Sequence, residues 1–129
     1  VATGENEYTR YGFRDLIAQD SAAILNPDAQ ILGGITEFMH VASLAAAHDL
    51  HIAPHGAQEI HVHLVSAISN GLILEYYRET VDPLRGQQFT DKLELDSDGM
   101  AGVPDRPGLG FEPNFDLLER YEVGPGSSA

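Results

Sequence analysis

Three carboxylates and one imidazole, those of Glu5, Asp28, Glu75 and His55, each stand at the end of a short apolar run. The runs are Val1–Gly4, Ala22–Pro27, Ile52–Pro54 and Leu72–Leu74, and the stretches between them read as helix. A reactive group at the C-terminal tip of each successive strand is how a (β/α)₈ barrel builds its site. The four lie 23, 27 and 20 positions apart, close to the ~30 residues per strand–helix unit of a ~250-residue barrel. Four units make about half such a barrel.

The chemistry such a set could do follows from the residue types. Asp28 and His55, on neighbouring strands, can come within hydrogen-bond reach. A carboxylate on one imidazole nitrogen fixes the tautomer and makes the other nitrogen the better proton acceptor, which is a general base. Glu5, one strand earlier, suits a hard cation such as Mg²⁺, which prefers carboxylate oxygens. Glu75, one strand later, faces the same mouth; in its protonated form it could hydrogen-bond a developing oxyanion. Strand ends carry polar residues for ordinary reasons too, so no one of the four is informative alone; the ordered set at barrel spacing is.

The elements that must position them are legible as a β/α alternation. Val1–Glu5, Ala22–Pro27, His51–Pro54 and Leu72–Tyr77 read as strands. Thr9 is placed to cap a helix with Phe13, Leu16 and Ile17 on one face, weakened by Gly12. After the break at Gly33-Gly34, Ile35, Phe38, Met39, Ala42 and Ala46 recur with helical period. Gln58–Ser69 reads as a helix with Ile60, Leu64, Val65 and Ile68 inward. Alternation of this kind predicts a parallel sheet.

Beyond Tyr77 the pattern changes. Lys92–Leu95 alternates like an antiparallel strand, Asp98-Gly99 is a hairpin signal, and Val103–Gly110 should be irregular. Asn114 is placed to cap a short last helix carrying Leu117, Leu118 and Tyr121 on one side. The expected organisation is therefore α/β. Residues 1–85 are expected to form four strand–helix units of a TIM-type barrel, 86–123 an irregular and hairpin extension, and 124–129 a disordered tail.

Bulk properties narrow the function. The formal net charge of −13 over 129 residues disfavours nucleic acid, whose phosphates need clustered Lys and Arg, and anionic membrane surfaces. No apolar stretch approaches the ~20 residues of a membrane span. Cysteine is absent, which excludes a disulfide framework, a thiolate nucleophile and a Cys-based zinc site and is compatible with a cytoplasmic protein. A chain that opens inside a strand at Val1 is expected to be part of a longer enzyme.

Taken in order, Gly4-Glu5-Asn6, Asn26-Pro27-Asp28, Gly33-Gly34-Ile35-Thr36-Glu37, Ala53-Pro54-His55 and Leu74-Glu75 resemble the mandelate racemase branch of the enolase superfamily. Val103-Pro104-Asp105-Arg106-Pro107-Gly108-Leu109-Gly110 is similar to that family's closing segment, so the resemblance covers about Val1 to Val123. It implies that Glu5 is the last of three carboxylate ligands to Mg²⁺. Asp28 and His55 would be the dyad that moves the proton α to a substrate carboxylate, and Glu75 would hydrogen-bond that carboxylate. His55 and Glu75 would then both touch substrate. The first two metal ligands, a Lys-containing motif and the capping domain are not in this sequence. The resemblance thus implies, as partners, a missing N-terminal barrel half and capping domain, a small-molecule carboxylate such as a sugar acid, and a homo-oligomer. The activity it implies is dehydration of a sugar acid, with racemisation or epimerisation of a 2-hydroxy acid as the alternative. This chain alone is expected to be inactive; the other alternative is a non-catalytic fragment or assembly subunit whose strand-end groups are structural.

Other signals carry less. His61-Val62-His63 has the spacing of two metal ligands on a strand, but no glutamate follows and the surroundings read as helix, so core or boundary histidines are expected. Glu94–Gly99 with Asp105 resembles part of a calcium loop, yet a hairpin turn explains it. His40, His48 and His51 read as structural, and Arg10, Arg14, Arg78 and Arg85 as solvated surface.

Overall fold

The computed structural model describes residues 1–124. Three strands, β1 (Ala2–Thr3), β2 (Ile24–Leu25) and β3 (His51–Ile52), form a parallel sheet in the order β1-β2-β3. The register pairs Ala2 with Ile24 and Thr3 with Leu25, then Ile24 with His51 and Leu25 with Ile52. Helices α1 (Thr9–Ala18), α2 (Ala29–Leu32), α3 (Ile35–Ala46) and α4 (Gln58–Ser66) alternate with the strands, and α5 (Phe115–Leu118) lies near the end.

The strands are shorter than the apolar runs that announce them. Main-chain pairing nevertheless continues to the tips: Asn26 N–H donates to Thr3 O at 3.0 Å, Ala53 N–H to Leu25 O at 3.0 Å and His55 N–H to Pro27 O at 3.2 Å. Pro27 and Pro54 have no N–H to offer, so the ladder thins at them; the His55–Pro27 bond is its last rung, and the residue after each proline stands at the end of the sheet. Those residues are Asp28 and His55.

The expected fourth strand is reduced to a parallel bridge between Ile52 and Gly71, held by Ile52 N–H to Asn70 O at 2.9 Å and Leu72 N–H to Ile52 O at 2.8 Å. Among the described residues nothing pairs with the far edge of this segment, and Leu72 and Ile73 stay 50% and 63% exposed. Asn70 anchors its start by donating to Ala42 O at 3.1 Å and Leu50 O at 3.0 Å.

The core between sheet and helices holds Phe13, Leu25, Leu32, Phe38, Val41, Ala45 and Ile52. Helix α3 buries Phe38 and Ala42 as expected, with Met39 partly buried against the core, and adds Val41 and Ala45; Ile35, at the first turn beside Gly34, and Ala46 are exposed. Helix α1 packs on α3, and its start is tied there as Glu37 accepts from the Arg10 main chain at 3.1 Å and from its guanidinium at 2.7 Å. Thr9 is not the cap of α1. It is the first helical residue, at φ +56°, with Tyr8 at the N-cap making no side-chain bond.

Helix α4 stops at Ser66 and buries Gln58, Glu59, His61, Val62 and Leu64, because it is covered on two sides. One side faces the sheet core; on the other, Val62 packs with Leu93 and Phe111 in a second cluster. His63 reaches the closing segment at Leu109 O, 2.9 Å away. In that last third, Lys92–Leu95 forms only an antiparallel bridge from Leu95 to Ala101. The turn at Asp98-Gly99 is as expected, and Asp96 Oδ1 accepts from Asp98 and Met100 N–H, both at 2.9 Å. That carboxylate is occupied by the turn, which removes the calcium-loop reading. Asn114 caps α5 by accepting from Leu117 N–H at 3.2 Å, and Leu117 is buried while Leu118 and Tyr121 are exposed. The tail expected over 124–129 lies, from position 125 on, outside the described residues.

Candidate active site

The four strand-end residues converge at one end of the sheet. Asp28 follows β2 and serves two partners. Its Oδ1 accepts from Gln30 N–H at 2.8 Å, capping α2, and its Oδ2 lies 3.1 Å from His55 Nδ1. The carboxylate is only 6% exposed. An ionised carboxylate only accepts, so Nδ1 carries the proton and Nε2 is left bare.

Nε2 faces the mouth. Glu5 Oε2 is 3.9 Å from it and the Tyr77 hydroxyl 3.5 Å. Gly4 turns the chain to place Glu5: it sits at φ +121°, and a Cβ there would meet Phe13 Cε1 at 2.5 Å. Glu75 joins from the Ile52–Gly71 edge, its Oε2 accepting from Gly56 N–H at 2.7 Å. Gly56 and Ala57 are left-handed at φ +57° and +37°, which folds the chain after His55 sharply into α4.

Sequence reasoning does not single out Tyr77 and Arg85 at this mouth, nor His61 beneath it, as site residues. Tyr77 stands two positions after Glu75 in an extended segment, the spacing that puts two side chains on one face. Burial, with the nearby charge of Glu75, pushes its phenol up, so it remains an O–H donor beside Nε2. Arg85, expected on the surface, lies over the Tyr77 ring with its guanidinium carbon 4.8 Å from the centroid. No local pattern reports that contact. His61, expected as a core or boundary histidine, is fully buried beneath the Asp28 and His55 loops.

A hard divalent cation seeks several oxygens in near-octahedral array. Among the described residues no three His, Cys, Asp or Glu side chains converge to hold one. Glu5, 48% exposed at the mouth, fits as one ligand; the others would have to come from outside the described residues.

A parallel α/β layer with polar side chains gathered at its strand tips has the architecture of part of a (β/α) barrel. Residues 1–117 match the family model described as enolase C-terminal domain-like, and the chain belongs to that family. It is 39% identical over 111 residues to the L-talarate/galactarate dehydratase of Salmonella typhimurium, covering 86% of this chain and 26% of that protein. It is 30% identical over 124 residues to the 3,6-anhydro-alpha-L-galactonate cycloisomerase of Streptomyces coelicolor, covering 96% and 33%. The solved L-talarate dehydratase from Polaromonas sp. JS666, complexed with Mg and L-glucarate, superposes with a TM-score of 0.79 at 38% identity, over 92% of this chain and 31% of that one. The chain thus spans about a quarter to a third of the length of the curated relatives it matches.

Proposed function

We propose that this chain carries the proton-transfer side of a Mg²⁺-dependent sugar-acid dehydratase. The observation that carries the reading is the Asp28–His55 pair at 3.1 Å, which leaves a bare Nε2 at the mouth. Similarity to a talarate/galactarate dehydratase supports dehydration over the other reactions of the family.

In this reading His55 Nε2 takes the proton from the carbon α to the substrate carboxylate, and Asp28 holds the resulting imidazolium in place. Glu75, whose Oε2 accepts from Gly56 N–H, would in its protonated form donate from its other oxygen to the carboxylate as charge moves onto it. The Cβ–O bond then breaks as the His55 imidazolium returns its proton to the leaving hydroxyl, which departs as water, and the enol left behind relaxes to a 2-keto-3-deoxy acid. Glu5 would hold, with ligands from elsewhere in the whole protein, a cation whose charge stabilises the developing oxyanion. The division of the chain at 85/86, a homo-oligomeric state and a cytoplasmic location belong to the same proposal.

The test is to incubate the whole protein with Mg²⁺ and a panel of aldonic and aldaric acids in D₂O, following both water loss and α-deuteration. A 2-keto-3-deoxy product is expected, and His55→Asn should lower its formation by about 10²–10⁴-fold. Deuteration with inversion and no water loss would replace dehydration by racemisation. No exchange with any acid would overturn both.

A further inference from the structure

We infer that His61 is the positioning residue of the Asp28–His55 pair, locking the two loops that carry them into one register. The inference rests on the reading of that pair as the reacting groups.

His61 is on α4, fully buried, and touches neither the mouth nor any group proposed to meet substrate. Its two ring nitrogens bond main-chain groups of the two loops. Nε2 accepts from Ala29 N–H at 3.0 Å, and Nδ1 stands 2.6 Å from Gly56 O. Ala29 directly follows Asp28, and Gly56 directly follows His55. The imidazole is thus a cross-brace between the residues next to each member of the pair.

The brace admits one protonation state. A carbonyl oxygen only accepts, so Nδ1 must carry hydrogen; an amide N–H only donates, so Nε2 must be bare. A second proton would set an N–H against the Ala29 N–H and turn it toward Asp28 Oδ1, which is 3.9 Å away. Burial holds His61 below its ordinary value, against the pull of the Gly56 carbonyl and the Asp28 charge. The ring also stacks on Phe38, centroids 5.7 Å apart at 27°, which fixes its plane.

The brace is needed because the loop it holds is strained. Gly56 and Ala57 are successive left-handed residues, and Ala57 has a side chain. Such a backbone persists only where its surroundings over-determine it. Gly56 is fixed by Glu75 through its N–H and by His61 through its oxygen. Without the second, His55 can drift from Asp28. Misplacement by about 1 Å costs ~10²-fold in rate.

The test uses His61→Phe, which keeps the ring and its stacking, and His61→Gln, whose amide offers one donor and one acceptor. Both are made in the full-length protein, with folding checked by circular dichroism. The primary readout is the ¹⁵N spectrum of the His55 imidazole, which requires no substrate. In the unaltered protein His55 should show a protonated Nδ1 and a bare Nε2. In His61→Phe both nitrogens should move to values averaged between tautomers, and His61→Gln should restore the original pattern at least in part. With an active substrate, kcat should fall by about 10–10²-fold in His61→Phe with KM changed less than about 3-fold. An unchanged His55 spectrum in His61→Phe would overturn the brace. If that variant does not fold, His61→Leu takes its place: an averaged His55 tautomer supports the brace and an unchanged one in a folded protein overturns it. A bare Nδ1 in the unaltered protein would instead overturn the reading of the pair, a separate outcome.

Discussion

Asp28 does two things with two oxygens, and one pair of substitutions separates them. In Asp28→Asn the amide oxygen can still accept from Gln30 N–H, the 2.8 Å bond that caps α2. Asn caps helices about as well as Asp. The amide NH₂ then faces His55 Nδ1, and two donors cannot meet, so the imidazole must take the other tautomer, with hydrogen on Nε2. The contact survives as a neutral hydrogen bond, and the nitrogen at the mouth can no longer accept a proton. Stability should fall by about 1 kcal/mol, the difference between a charge-assisted and a neutral bond. Turnover should fall by ~10³–10⁴-fold, the scale of the same carboxylate-to-amide change beside the histidine of serine proteases. In Asp28→Ala both bonds go. A lost cap at about 1 kcal/mol and a lost charge-assisted bond at about 1.5–3 together cost about 2.5–4 kcal/mol. Denaturant midpoints measured beside kcat distinguish the cases. If Asp28→Asn is as destabilising as Asp28→Ala, the cap assignment fails. If it turns over within about 10-fold of the unaltered protein, the dyad has no catalytic meaning.

Phe38 is fully buried under α3 and stacked on His61; Phe38→Ala should cost about 3–5 kcal/mol in denaturant unfolding, and a loss below about 1 would mean the core closes over the gap. Burial works to raise the Glu37 carboxyl, but the bonds from Arg10 and the charge of His40 outweigh it and hold it below the ordinary carboxylate range. A folded-state value below the unfolded one adds stability that is present above the unfolded carboxylate range and lost as pH falls through the folded value. Glu37→Gln should therefore flatten the acid limb of a melting-temperature profile, and an unchanged limb would remove the Arg10–Glu37 tie from the account.

The site was more legible in the sequence than the surfaces between elements. Polar residues at strand tips are a positional signal, and Asp28 and His55 each directly follow a proline near the end of the ladder. Pairing partners leave no such trace. Leu72–Tyr77 has the composition of a strand, but a strand forms only against another strand, and composition does not report whether one is there. On α3 the period finds Phe38 and Ala42, but the inward face is turned toward Val41 and Ala45 and away from Ile35 and Ala46, because the period fixes spacing while the way the helix is launched after Gly34 fixes which side turns inward. Helix α2 is four residues long, too short for any period to show, and exists because Asp28 caps it and Gly33 ends it in a left-handed turn. His61 could be read only as apolar-faced or not, since its two partners lie 32 and 5 positions away and are main-chain atoms.

Pro27 and Pro54 have a consequence for how such a chain changes over generations. Each removes a main-chain donor one residue before a side chain at the end of the sheet, where the last rung runs from His55 N–H to Pro27 O. The His55 side chain and its neighbours at the mouth are thereby set apart from the residues that bury apolar surface. Selection can rewrite the reaction at the tips while the interior goes on specifying the same scaffold. The chain's similarity to both a dehydratase and a cycloisomerase is what that separation permits. Asp28 and Glu75 are the exceptions, because one oxygen of Asp28 begins a helix and Glu75 holds the Gly56 N–H of the left-handed loop. In the proposed reading their replacement is felt by chemistry and architecture together, and they are the tip residues a diverging lineage should relinquish last.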